Sequence, residues 1–135
     1  MPTVMDELRL FMPLSITAID GDADGMSLTG ASWRLRINTN WRLVSHGRIV
    51  NSSGMMISQT SPSVCLDELV GDDITELVFQ SSRAGLDLSA VTSRGQILEI
   101  FSDFPYGEWI LSLWNVNDPK RIPIYDLEGP ISEPT

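Results

Sequence analysis

The clearest chemical spacing in the chain is Asp20-Gly21-Asp22-Ala23-Asp24-Gly25. Carboxylates at alternate positions followed by glycine let a chain wrap oxygen ligands around a hard cation such as Ca2+. A helix–loop–helix calcium site then needs a bidentate Glu at the twelfth position, and Ala31 stands there. The matching loop of the second half, Gln80-Ser81-Ser82-Arg83-Ala84-Gly85, holds no carboxylate. Asp and Gly are also favoured in hairpin turns for backbone reasons alone. A solvated acidic turn is therefore the expected state of this loop, with Asp20, Asp22 and Asp24 the metal ligands should Ca2+ bind. No other cofactor is expected.

Other residues with chemical potential are few. His46 is the only histidine and precedes Gly47 in an expected turn, so no two-histidine metal motif is possible. The Gly-x-Ser-x-Gly elbow, the phosphate loop and the dinucleotide fingerprint are all missing from the sequence. Asp103 and Glu108 are close enough in sequence to suggest an acid–base pair. Eighteen acids in 135 residues produce such neighbours by chance, however. Cys65 is the single cysteine, which rules out an internal disulfide and a thiolate cluster and suits buried packing. A non-enzymatic protein is the expectation. The four tryptophans, Trp33, Trp41, Trp109 and Trp114, all fall in strand-like segments. They either fill a core or build an aromatic contact face. Trp41, Tyr106, Glu108 and Trp109 are the candidates for such a face.

The elements that must position these residues follow from the bulk properties first. A chain of this length supports one domain with a core of its own. Its apolar content of 42% and charged content of 20% are those of a globular protein. The net charge of −9 disfavours nucleic acid and anionic membrane as partners, because both need a basic footprint. A basic protein partner suits it better. Asp6 and Glu7 stand where a signal peptide would carry positive charge, and no apolar run is long enough to span a bilayer, so a cytoplasmic address is expected.

The order of segments repeats. Pro2-Thr3-Val4 and Asp6-Glu7-Leu8 recur as Pro62-Ser63-Val64 and Asp67-Glu68-Leu69. Residues 15–19 match 73–77, 26–28 match 86–88, 35–37 match 98–100, and 41–43 match 109–111. The offsets widen only at turns, where insertions are tolerated. Trp33, Leu35 and Ile37 alternate with Arg34 and Arg36, a period-2 signal for a half-buried strand. Two short helices are expected, capped by Thr3 and Ser63, the second closed by Gly71. Prolines at 119, 123, 130 and 134 keep the tail out of any central strand. The expected fold is mainly β, in one domain over 1–135. It has two related halves (1–57 and 61–118) of about three to four antiparallel strands each, in pseudo-twofold relation, followed by the tail at 119–135. Strand edges left by two small sheets make a homodimer reasonable.

Leu69-x-Gly71-x-x-Ile74-Thr75, an alternating Leu-rich hairpin and then Tyr-Gly-Glu-Trp-Ile-Leu (106–111) resemble small bacterial domains, some of them immunity or antitoxin proteins. In those domains a Gly-rich segment follows the Trp motif, whereas Asn115-Val116-Asn117-Asp118-Pro119 stands here. The resemblance brings no catalytic residue. It implies a protein-binding module, one that would neutralise a basic effector through an acidic, aromatic-studded face. The alternative is a β-domain that binds a small molecule or a cation.

Overall fold

The computed structural model describes residues 4–21, 25–52, 69–81, 85–103 and 107–131. Among them are eleven strands and one helix, in the order α1 (Val4–Arg9), β1 (Leu14–Ser15), β2 (Ala18–Gly21), β3 (Met26–Thr29), β4 (Trp33–Ile37), β5 (Asn40–Ser45), β6 (Arg48–Ser52), β7 (Asp73–Ser81), β8 (Leu86–Thr92), β9 (Gln96–Phe101), β10 (Trp109–Trp114) and β11 (Pro123–Gly129). The protein is mainly β, as its alternating pattern requires. The first half (1–57) holds six strands, β1–β6, more than the three to four expected, whereas 61–118 holds four, β7–β10, and β11 falls in the tail. The reason is local: Asn38-Thr39 and the His46-Gly47 turn, both with positive φ in the latter case, cut one long apolar run into separate strands. The second expected helix, at Ser63, lies outside the described residues.

The strands form two antiparallel sheets, β1-β7-β8-β9-β5-β6 and β11-β10-β4-β3-β2. Alternation decides what each sheet buries. In β4 the residues Trp33, Leu35 and Ile37 are buried while Arg34 is exposed, and in β10 Leu111 and Leu113 turn inward. Leu28, Leu43, Leu77, Ala90 and Leu98 meet them in one apolar cluster shared by both sheets. Each buried Leu or Ile contributes roughly 1.5–3 kcal/mol by leaving water. Ile49 lies exposed on β6. The prolines of the tail behave as their chemistry demands. Pro123 begins β11, which pairs with β10 alone and so stands at a sheet edge.

The two sheets are related by an exchange of halves. Replacing β2–β6 by β7–β11 turns the order β2-β3-β4-β10-β11 into β7-β8-β9-β5-β6. The register follows the same exchange. Trp41, Arg42 and Leu43 pair with Ile100, Glu99 and Leu98, while Trp109, Ile110 and Leu111 pair with Ile37, Arg36 and Leu35. Ser15 pairs with Asp73, its own counterpart, at the crossing point. One sequence match needs correction. Register sets Met26-Ser27-Leu28 against Leu88-Ser89-Ala90, not against residues 86–88. A slip of two residues leaves every side chain on its original face, so hydrophobic pattern cannot detect it.

Candidate functional site

Three of the four residues expected on an aromatic face are buried. Trp41 is 4% exposed, Glu108 7% and Trp109 0%, so these three belong to the interior. Trp109 explains why a ring that carries an N–H can be buried fully. Its Nε1–H donates to Asp87 Oδ1 at 2.9 Å, and the indole packs against Gly129, its neighbour on β11, where a Cβ would collide with the ring. The same Asp87 carboxyl accepts Ser102 N–H at 2.8 Å and Ser102 Oγ–H at 2.5 Å. The group is a satisfied buried polar cluster that fixes β8 against β10. Tyr106 lies outside the described residues.

The other candidates are scattered. Asp20 is exposed on β2, whereas Asp22 and Asp24 lie outside the described residues, as does Cys65. Among the described residues no three His, Cys, Asp or Glu side chains gather at one point. His46 is exposed at the β5–β6 turn. Asp103 is exposed and accepts a hydrogen bond from Asn40 Nδ2 at 2.8 Å, while Glu108 is buried at the start of β10, so the two carboxyls occupy different environments.

A site that sequence reasoning did not single out lies on the outer face of the five-stranded sheet. Alternation in β4 that buries Trp33, Leu35 and Ile37 must turn Arg34 and Arg36 outward together. Across the sheet, register places Asp20, Ser27, Arg36 and Ile110 in one row and Ala18, Thr29, Arg34 and Ser112 in the next. Arg34 Nη2 and Arg36 Nη1 both reach Ser27 Oγ at 3.4 Å, and Arg36 Nε donates to Asn38 Oδ1 at 2.8 Å. Ser27 is 4% exposed, so two guanidinium groups converge over a buried hydroxyl. This is the floor of an open groove of about 690 Å3.

The far end of the groove is set by the β10–β11 connection. Asp118 organises that loop, its carboxylate accepting the N–H groups of Lys120 at 3.0 Å and Ile122 at 3.1 Å. Arg121, held at φ 53, then projects its guanidinium over the Trp114 ring, 5.8 Å from the centroid. Trp114 is fixed in turn by donation from Nε1 to Ala31 O at 3.2 Å. Gly30 lines the same wall and must be glycine there, because a Cβ would meet the Trp33 ring and Ser15 O. Three of the chain's nine basic side chains thus face one groove in a molecule of net charge −9. The signal was present in the sequence as Arg-x-Arg on an alternating strand; Arg121 carried none.

No protein-family model matches the chain, nor does any curated protein or solved structure. No helix among the described residues is long and apolar enough to cross a membrane. The class defined by fold and groove is therefore a two-sheet β domain with a cationic recess on one outer face.

Proposed function

We propose that the protein is a non-enzymatic binding domain that takes a small anionic molecule in the groove over β2, β3 and β4. The observation that carries this reading is the convergence of Arg34 and Arg36 on Ser27 at the floor of the groove. Two guanidinium groups brought to one point make that point more favourable to an anion than to a cation. Guanidinium groups also bind oxyanions through paired N–H donors, so the geometry favours carboxylate or phosphate over a neutral ligand. The volume lies within the range of small-molecule sites.

The neutralisation of a basic effector has less to stand on. The residues that would anchor it, Trp41, Glu108 and Trp109, are buried, which leaves only the overall negative charge in its favour. Catalysis is not part of the reading, because Asp20 is the one carboxylate that lines the groove among the described residues. Calorimetric titration with inorganic phosphate and with citrate tests the proposal. At least one of them should bind, and R34Q together with R36Q should abolish the heat while leaving the melting temperature close to that of the parent. Absence of binding by either anion at low ionic strength would refute it.

A further inference from the structure

The outer face of the six-stranded sheet is apolar where its counterpart on the other sheet is polar. Leu43, Ala90 and Leu98 point to the core, so alternation turns Val44, Val91 and Ile97 outward. Register sets Val91, Ile97, Val44 and Ile49 in one row across β8, β9, β5 and β6. Ile49 is 53% exposed, and Val78, on β7 one row along, is 39% exposed. The exchange of halves supplies the comparison. The row at the same place on the five-stranded sheet is Thr29, Arg34, Ser112 and Asp126. One of two equivalent sheets holds polar groups there, so the fold itself does not call for four β-branched apolar side chains on the other. A contiguous apolar strip on the outside of a sheet marks a surface that another surface covers.

We infer that this face joins two copies of the chain, sheet stacked on sheet about a twofold axis that crosses the strands along the apolar row. The contact is independent of the groove, which lies on the other sheet. Charge selects a second copy as the occupant. The net charge of −9 holds two copies apart in most orientations. Around the row, however, acids and bases nearly balance: Glu76 and Glu99 stand with Arg42, and Arg48 and Arg94 occupy the turns at one end. Arg42 Nε donates to Glu99 Oε1 at 2.6 Å, and its guanidinium lies 4.7 Å from the centroid of the Phe101 ring. Identical faces can therefore meet here without the repulsion that the rest of the surface imposes. Size agrees. Five strands and three outward rows make a face of about 24 Å by 20 Å. Two such faces remove on the order of 1,000 Å2 from water, the lower bound of a specific interface. A row of stiff β-branched side chains packs against its own copy, and a twofold contact of this kind closes at two chains.

Sedimentation velocity of the full chain between about 1 μM and about 500 μM tests the face. An interface near the lower size bound should give monomer at the dilute end and dimer at the concentrated end. I97R and V44S install the residue types that Arg34 and Ser112 already place at the same points of the other sheet, so both suit the fold. I97R should raise the dissociation constant about tenfold or more, because a symmetric contact meets each change twice, and V44S should raise it by less. Both should keep the circular dichroism spectrum of the parent and its behaviour towards phosphate. R34Q should leave the dimer intact, which separates failure of the groove from failure of the face. Should I97R not fold, V44S decides by the same measurement. A chain that stays monomeric at the highest concentration overturns the inference. A dimer that neither I97R nor V44S weakens also overturns it, since the contact then lies at a strand edge. So does a monomer that binds vesicles of phosphatidylcholine and phosphatidylglycerol and is released from them by I97R, which makes the face a lipid surface.

Discussion

The buried carboxyl of Asp87 is the residue on which the interior depends most. It is 0% exposed and satisfies three donors, one of them the indole of Trp109. Removing an acceptor that serves several buried donors leaves each of them unpaired. Asp87→Ala should therefore cost about 3 kcal/mol in urea unfolding, and Trp109→Phe should lose a further hydrogen bond worth about 1 kcal/mol on its own. Asp72 adds a dependence on pH. Burial alone would raise its pKa, but hydrogen bonds from Ser93 Oγ–H, Asp73 N–H and Thr92, together with the charge of Arg94, outweigh burial and hold it below the usual carboxylate range. A pKa lower in the folded state than the ordinary value of about 3.9 makes stability complete above that value. The contribution disappears as pH falls through the folded pKa. Urea midpoints measured from neutral to strongly acidic pH should decline on that limb, and Asp72→Asn should be less stable at neutral pH with a shallower acid slope.

At the scale of the strand, period 2 settled much of the structure in advance. Trp33, Leu35 and Ile37 identified β4 and its buried face, and the matches at 15–19, 35–37 and 41–43 agree with the register. What pattern could not resolve was translation by two residues in β8, since both alignments bury the same face. Nor could it say whether a strand tryptophan faces the core or solvent. Trp41 and Trp109 are large apolar rings in either setting, and only the presence of Asp87 and Gly129 decides for Trp109. The groove escaped notice for a related reason. Arg34 and Arg36 were informative as the polar half of an alternation, and their neighbours Ser27 and Arg121 are joined to them only by pairing and loop geometry. Gly129 supplies the test at this scale. Gly129→Ala places a methyl group inside the Trp109 ring position and should cost about 2 kcal/mol or more, read as a lower thermal midpoint.

For the molecule as a whole, charge and connectivity both have measurable effects. The recess is cationic while the net charge is −9, so an approaching anion meets repulsion at long range and attraction at short range. Salt screens the first more than the second, because the Debye length shrinks to about 10 Å at 0.1 M while the donors in the groove are in contact. Association of phosphate should consequently lose less affinity between low and moderate salt than contact with three arginines alone would imply, checked by titration across ionic strength. The exchange of halves has a further outcome. Each sheet is joined at its middle by one strand from either half, β9 on β5 and β4 on β10. A polypeptide ending at residue 57 would present both seams as bare rows of N–H and C=O groups and should remain unfolded by circular dichroism. Supplying residues 61–135 as a separate chain should restore the spectrum. Melting has no natural stopping place between the halves, so a calorimeter should record a single heat-absorption peak whose van't Hoff and measured enthalpies agree.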